Sequence, residues 1–60
     1  MSLTLEVLNT LGGRWVYDTS WGKYINVGSP LVVYDYELDL SKDVDEVVRL
    51  IRIRWALEDE

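Results

Sequence analysis

Neither cysteine nor histidine occurs anywhere in these 60 residues. That absence constrains the fold more than any motif does. A chain this short buries only about 60% of the surface that its unfolded form exposes. Small scaffolds usually make up the shortfall with disulfides, a metal or a partner chain. Without Cys there is no disulfide and no thiolate metal site. Without His the commonest zinc ligand and the commonest general base are also missing. Of the usual remedies, association with another chain remains. The length is that of a single domain spanning 1–60.

The hydrophobic fraction, 48%, is that of a globular protein and argues against disorder. No apolar run approaches the roughly 20 residues of a membrane span. No charged start followed by an apolar stretch marks a signal peptide. These readings together predict a soluble, cytoplasmic protein. With 6 Lys+Arg against 11 Asp+Glu, the net charge is −5. An acidic balance disfavours direct nucleic-acid binding, which needs a basic face.

Gly and Pro divide the chain into about five pieces. Leu3–Leu11 fits two periods. As a strand, Leu3, Leu5 and Val7 alternate with Ser2, Thr4 and Glu6. As a helix, Leu3, Val7, Leu8 and Leu11 share one side and Gly12-Gly13 is a natural stop. The strand is preferred, because short isolated helices without strong formers are poor nuclei. Arg14–Asp18 reads as a strand with Trp15 and Tyr17 on one face. Thr19–Gly22 is a turn, Lys23–Val27 a second strand, and Gly28-Ser29-Pro30 the next turn. Leu31–Leu40 is the strongest strand pattern. Val32, Tyr34, Tyr36, Leu38 and Leu40 share one face, and Leu31, Val33, Asp35, Glu37 and Asp39 the other. Ser41 to about Leu57 reads as a helix with Ser41 as N-cap, acidic residues in its first turn, and a Val44, Val47, Val48, Ile51 and Trp55 stripe. The expected fold class is α+β: a small antiparallel meander of three or four strands packed against one C-terminal helix. Trp15, Tyr17, Tyr34 and Tyr36 would then face Val48, Ile51 and Trp55.

Several residues stand out beyond the fold. Leu50, Ile53 and Leu57 form a second apolar strip opposite the first, and one helix cannot bury both sides against one sheet. They predict a homodimer or partner contact, although single exposed aliphatics are ordinary. Asp35, Glu37 and Asp39 would form an acidic ladder with steps of about 6.7 Å, near the spacing of phosphates along a nucleic-acid strand. Charge mimicry on a partner protein is one reading, and a solvated face that discourages edge pairing is the plainer one. Trp21, in a turn beside Gly22, is either a partner-binding aromatic, making the contact together with Tyr24, or a lid over a sheet edge. Arg49, Arg52 and Arg54 are the only basic cluster and a candidate anion site. The plainer reading pairs Asp45 with Arg49 and Arg54 with Glu58 along the helix. The Glu58-Asp59-Glu60 tail opposes the helix dipole and is expected to fray.

No nucleophile–base pair, phosphate loop, dinucleotide-binding glycine pattern or metalloprotease motif is present. The carboxylates diverge along one strand, which suits neither a hard cation nor glycoside chemistry. No enzyme activity, metal or cofactor is expected. Gly13-Arg14-Trp15 is locally similar to the Gly-x-Trp start of lipocalin-like barrels. The likeness covers three residues of a chain too short for that barrel, and nothing is carried over from it. The reading is a non-enzymatic protein-interaction module that binds another protein and acts as a homodimer. Small acidic regulators and inhibitors of phage or mobile-element type have this size and composition. The alternative is a small-ligand or nucleotide-binding protein with an anion site at a dimer cleft.

Overall fold

The computed structural model describes residues 2–58. The elements run α1 (Leu3–Leu11), β1 (Trp15–Asp18), β2 (Lys23–Asn26), β3 (Val32–Tyr34), a 3-10 turn (Asp35–Glu37) and α2 (Val44–Glu58). The α+β class and the antiparallel meander are as expected, with strand order β1-β2-β3. An additional helix, α1, is present.

Leu3–Leu11 is therefore helical, and the strand preferred from sequence is corrected. The Ser2 hydroxyl accepts a hydrogen bond from the Leu5 N–H at 3.2 Å. Gly12, at φ 84°, closes the other end by donating its N–H to the Leu8 carbonyl. Those caps satisfy groups that a helix end otherwise leaves unpaired. What tips the balance is a neighbour. Val7 and Leu8 are buried in one cluster with Val47, Val48 and Ile51 of α2. A nine-residue helix is a poor nucleus alone, but its burial against α2 supplies what isolation lacks.

The core is small and aliphatic: Val7, Leu8, Val33, Val47, Val48 and Ile51. Each fully buried aliphatic side chain contributes about 1.5–3 kcal/mol. Leu3, Leu11, Trp15, Tyr24, Leu38, Val44 and Trp55 pack around it. The register pairs Tyr17 with Tyr24 and Tyr24 with Val33, so these three share the sheet face with Trp15. That face carries the helices. Trp15 stacks on Trp55 of α2, with ring centroids 6.3 Å apart and planes 13° apart. Tyr17 is partly exposed and leans on Tyr24, with ring centroids 4.6 Å apart.

The ten-residue strand expected over Leu31–Leu40 ends at Tyr34, and its faces are exchanged. Val33, placed outward by the pattern, is fully buried, whereas Tyr36 and Leu40 are exposed. The chain leaves the sheet in the 3-10 turn, where Leu38 N–H donates to the Asp35 carbonyl at 3.1 Å. The helix cap is also displaced. Asp43, not Ser41, accepts from a first-turn amide, that of Glu46 at 2.8 Å. Ser41 instead donates its hydroxyl and its N–H to Asp39 Oδ1.

Two glycines hold positions that a side chain would disturb. A Cβ on Gly13 (φ 89°) would lie 2.4 Å from Asn26 Nδ2, and one on Gly22 (φ 61°) would lie 2.8 Å from Asp35 Oδ2. Both φ values lie where glycine sits without the steric cost that a side chain brings. Gly22 ends the β1–β2 turn, and its carbonyl accepts the Asp35 N–H at 2.9 Å. No helix among the described residues is long and apolar enough to cross a membrane.

Candidate functional site

The most developed polar arrangement lies along the outer edge of β3. Asn26 N–H donates to the Leu31 carbonyl, and Val33 pairs with Tyr24. Leu31 and Val33 therefore direct their backbone groups toward β2, and Val32 and Tyr34 direct theirs outward. Two of those four outward groups, the Val32 C=O and the Tyr34 N–H, are taken by side chains. The Val32 carbonyl accepts from Arg54 Nη2 at 2.6 Å and from Trp55 Nε1 at 2.8 Å. The Tyr34 N–H donates to Glu37 Oε1 at 2.9 Å.

Arg54 and Glu37 also grip each other. Arg54 Nε and Nη2 reach the two Glu37 oxygens at 2.7 Å each, a bidentate fork. Such pairs are shorter and stronger than neutral hydrogen bonds. Arg54 Nη1 holds Glu58 at 2.8 Å, the i,i+4 pair read from sequence. The guanidinium lies 4.8 Å from the Tyr34 ring centroid, and that ring stacks on Tyr36 at 5.3 Å. The Glu37 hydrogen bonds raise the Arg54 pKa above its ordinary value, opposed by burial and aided by Glu58. A cluster that blocks a sheet edge in this way serves the fold. Four of the five guanidinium N–H groups are taken up within the cluster, which leaves little with which to take a ligand.

The residues singled out from sequence are distributed as follows. Asp35 and Glu37 belong to the 3-10 turn and Asp39 follows it, so the acidic ladder does not form. Glu37 turns inward to Arg54, Asp35 lies against Gly22, and Asp39 is occupied by Ser41. The Ser41 hydroxyl and N–H together hold the Asp39 carboxyl below its ordinary value of 3.8. The basic cluster is also divided. Arg54 is committed to Glu37, Glu58 and Val32, while Arg49 and Arg52 are exposed on α2. The Asp45–Arg49 pair is absent among the ion pairs of the described residues. Asp59 and Glu60 of the acidic tail lie outside the described residues.

Trp21 is 75% exposed, so it does not fold over the sheet as a lid. The Lys23 ammonium lies 6.0 Å from its ring centroid. Tyr24 is half-buried against the core. Leu50, Ile53 and Leu57 are 45%, 49% and 67% exposed, on the side of α2 away from Val47, Val48 and Ile51. A shallow depression is lined by Pro30, Leu31, Trp55, Ala56 and Glu58. Its one charged lining residue is a carboxylate, the wrong sign for an anion.

Sequence reasoning did not find the edge clamp. In the sequence Arg54 belongs to a basic cluster and Glu37 to an acidic ladder, and their contact spans 17 residues. No local spacing rule reaches that far. No known protein family, curated protein or solved structure matches the chain.

Proposed function

We propose that this chain is a non-enzymatic interaction module that binds another protein through the outer strip of α2. One observation carries the reading: Leu50, Ile53 and Leu57 lie exposed on one side of a helix whose other side is spent on the core. Their i, i+3, i+7 spacing is that of anchors by which an amphipathic helix enters an apolar groove. Exposed Arg49 and Arg52 on the same helix suit a groove with an acidic rim. Binding of this kind regulates or inhibits by occupying a surface of the target. The anion-site alternative loses support, because Arg54 is taken up by Glu37 and Glu58.

The test compares affinity capture by the wild-type chain and by Leu50→Gln/Ile53→Gln/Leu57→Gln, with circular dichroism confirming both folds. A partner retained by the wild type and lost by the variant is expected. Identical capture profiles would overturn the proposal.

A further inference from the structure

The two edges of the sheet are treated differently. The β3 edge is closed by Arg54, Trp55 and Glu37. The β1 edge is open. Val27 N–H donates to the Arg14 carbonyl at 2.8 Å, and Gly22 N–H donates to the Asp18 carbonyl at 2.9 Å. Arg14, Val16 and Asp18 thus face β2, and the alternate residues Trp15 and Tyr17 direct their N–H and C=O groups away from the sheet. No side chain among the described residues hydrogen-bonds to those outward groups. Although Trp15–Asp18 is only four residues long and ends on Asp18, it has no lysine, proline or bulge to discourage pairing.

We propose that β1 pairs antiparallel with β1 of a second copy of this chain about a two-fold axis at Val16, joining two three-stranded sheets into one. The sequence of the edge is complementary to itself in that register. Trp15 faces Tyr17 of the second copy and exchanges both backbone hydrogen bonds with it. Val16 faces Val16 as the closer, non-hydrogen-bonded pair. Arg14 faces Asp18 of the second copy, so opposite charges meet at both ends of the junction. Aromatic pairs and opposite charges directly across a ladder are each favourable, and like charges are not. Val16, 54% exposed in the single chain, is covered by its own copy. A two-fold junction closes on itself and stops at a dimer, and the plugged β3 edge prevents the sheet from growing at its other side. The dimer contact expected from sequence lay on α2. The β1 edge is a separate surface and leaves the α2 strip free.

The absence of cysteine makes a clean test available. Facing non-hydrogen-bonded residues have Cα atoms about 4.5 Å apart, within the range a disulfide spans. Val16→Cys under mild oxidation is expected to give a covalent dimer, and Ile53→Cys on α2 is the control that stays monomeric. Arg14→Glu and Asp18→Lys are each expected to weaken dimerisation roughly ten-fold in sedimentation, since each places like charges across the junction twice. An equimolar mixture of the two is expected to restore it. If Asp18→Lys loses its turn, as circular dichroism would show, the cross-linking rate of Arg14→Glu/Val16→Cys against Val16→Cys carries the same reading.

A wild-type chain that sediments as a monomer at every concentration overturns the proposal. So does a dimer that Leu50→Gln/Ile53→Gln/Leu57→Gln abolishes while Arg14→Glu leaves it intact. That second outcome would place the dimer on α2. It differs from failure of the proposed function, which is read by partner capture.

Discussion

Glu37 holds the Arg54 guanidinium with both carboxylate oxygens and, with one of them, also accepts the Tyr34 N–H. One ion pair thereby joins α2, the 3-10 turn and the edge of β3. The two side chains are mostly shielded, at 20% and 13% exposed, so water does not replace the contact cheaply. Glu37→Gln is expected to destabilise by about 1–3 kcal/mol, because a charged acceptor of three hydrogen bonds becomes a neutral one. Arg54→Met should cost at least as much, since it also strips a donor from the Val32 carbonyl. The double variant should cost less than the sum of the two, which urea unfolding of all four proteins would measure. The pH dependence has a definite sign. A folded-state pKa raised above the unfolded value gives stability that is complete below the unfolded value and lost only as pH rises through the folded one. Arg54 is such a group. Its contribution should stay constant from neutral to about pH 10, well below the arginine range.

Two arrangements before α2 are separable, the Asp43 cap on the Glu46 N–H and the Ser41–Asp39 pair. Asp43→Ala removes the acceptor of the Glu46 N–H and should cost about 1 kcal/mol, the usual value of an N-cap. Ser41→Ala should leave α2 unchanged and act on Asp39 instead. The Asp39 carboxyl is held low by the Ser41 hydroxyl and N–H. A depressed carboxyl contributes stability above its ordinary pKa and loses it as pH falls through the folded value. Removing the hydroxyl should move the Asp39 titration upward toward 3.8, read by NMR of its side-chain carbonyl carbon. No movement in Ser41→Ala would show that the hydroxyl is not the cause.

The features legible in the sequence were those with local signals. Thr19–Gly22 was a turn, and Gly22 does take positive φ. Val44, Val47, Val48, Ile51 and Trp55 did mark the buried side of α2. The Arg54–Glu58 pair followed from i,i+4 spacing. The misreadings arose where a distant contact overrode a local period. Leu3–Leu11 became helical because α2 covers Val7 and Leu8. Asp35–Glu37 left the strand alternation because Glu37 returns to the Tyr34 amide and to Arg54. The same contact removed the acidic ladder and divided the basic cluster. Neither edge of the sheet was visible in advance, since edge status depends on strand order rather than on strand pattern.

The three tryptophans should be optically distinct. Trp15 and Trp55 stack on one another, and each donates its indole N–H, to the Gly12 and Val32 carbonyls respectively. Trp21 is exposed in the turn, beside Lys23. Trp21→Phe should remove the red-shifted, readily quenched part of the emission and leave stability within about 0.5 kcal/mol, as for most surface changes. Trp55→Phe should do the reverse. It leaves the quenchable fraction in place and destabilises by about 1–3 kcal/mol, through the lost indole bond to Val32 and the smaller ring against Trp15. Acrylamide quenching with thermal melts distinguishes the two patterns. Equal quenching of all three residues would contradict the stacked arrangement.

Helix α2 offers an internal comparison that separates structure from interaction. Ile51 is fully buried between α1 and the sheet. Ile51→Ala removes aliphatic volume from the centre of the core and should cost about 2–5 kcal/mol. For a scaffold below about 70 residues that is comparable with the whole stability a single core supplies, roughly 3–5 kcal/mol. The variant is therefore expected to be largely unfolded at room temperature. Leu50, one residue earlier, is substantially exposed. Leu50→Gln replaces one good helix former with another and should change stability by less than about 1 kcal/mol. The same holds for Ile53→Gln and Leu57→Gln, so the triple variant should melt close to the wild type. Circular dichroism melts of Ile51→Ala and the triple variant check this directly. A triple variant that unfolds like Ile51→Ala would mean that the strip is buried in solution, in a contact on which the fold itself depends.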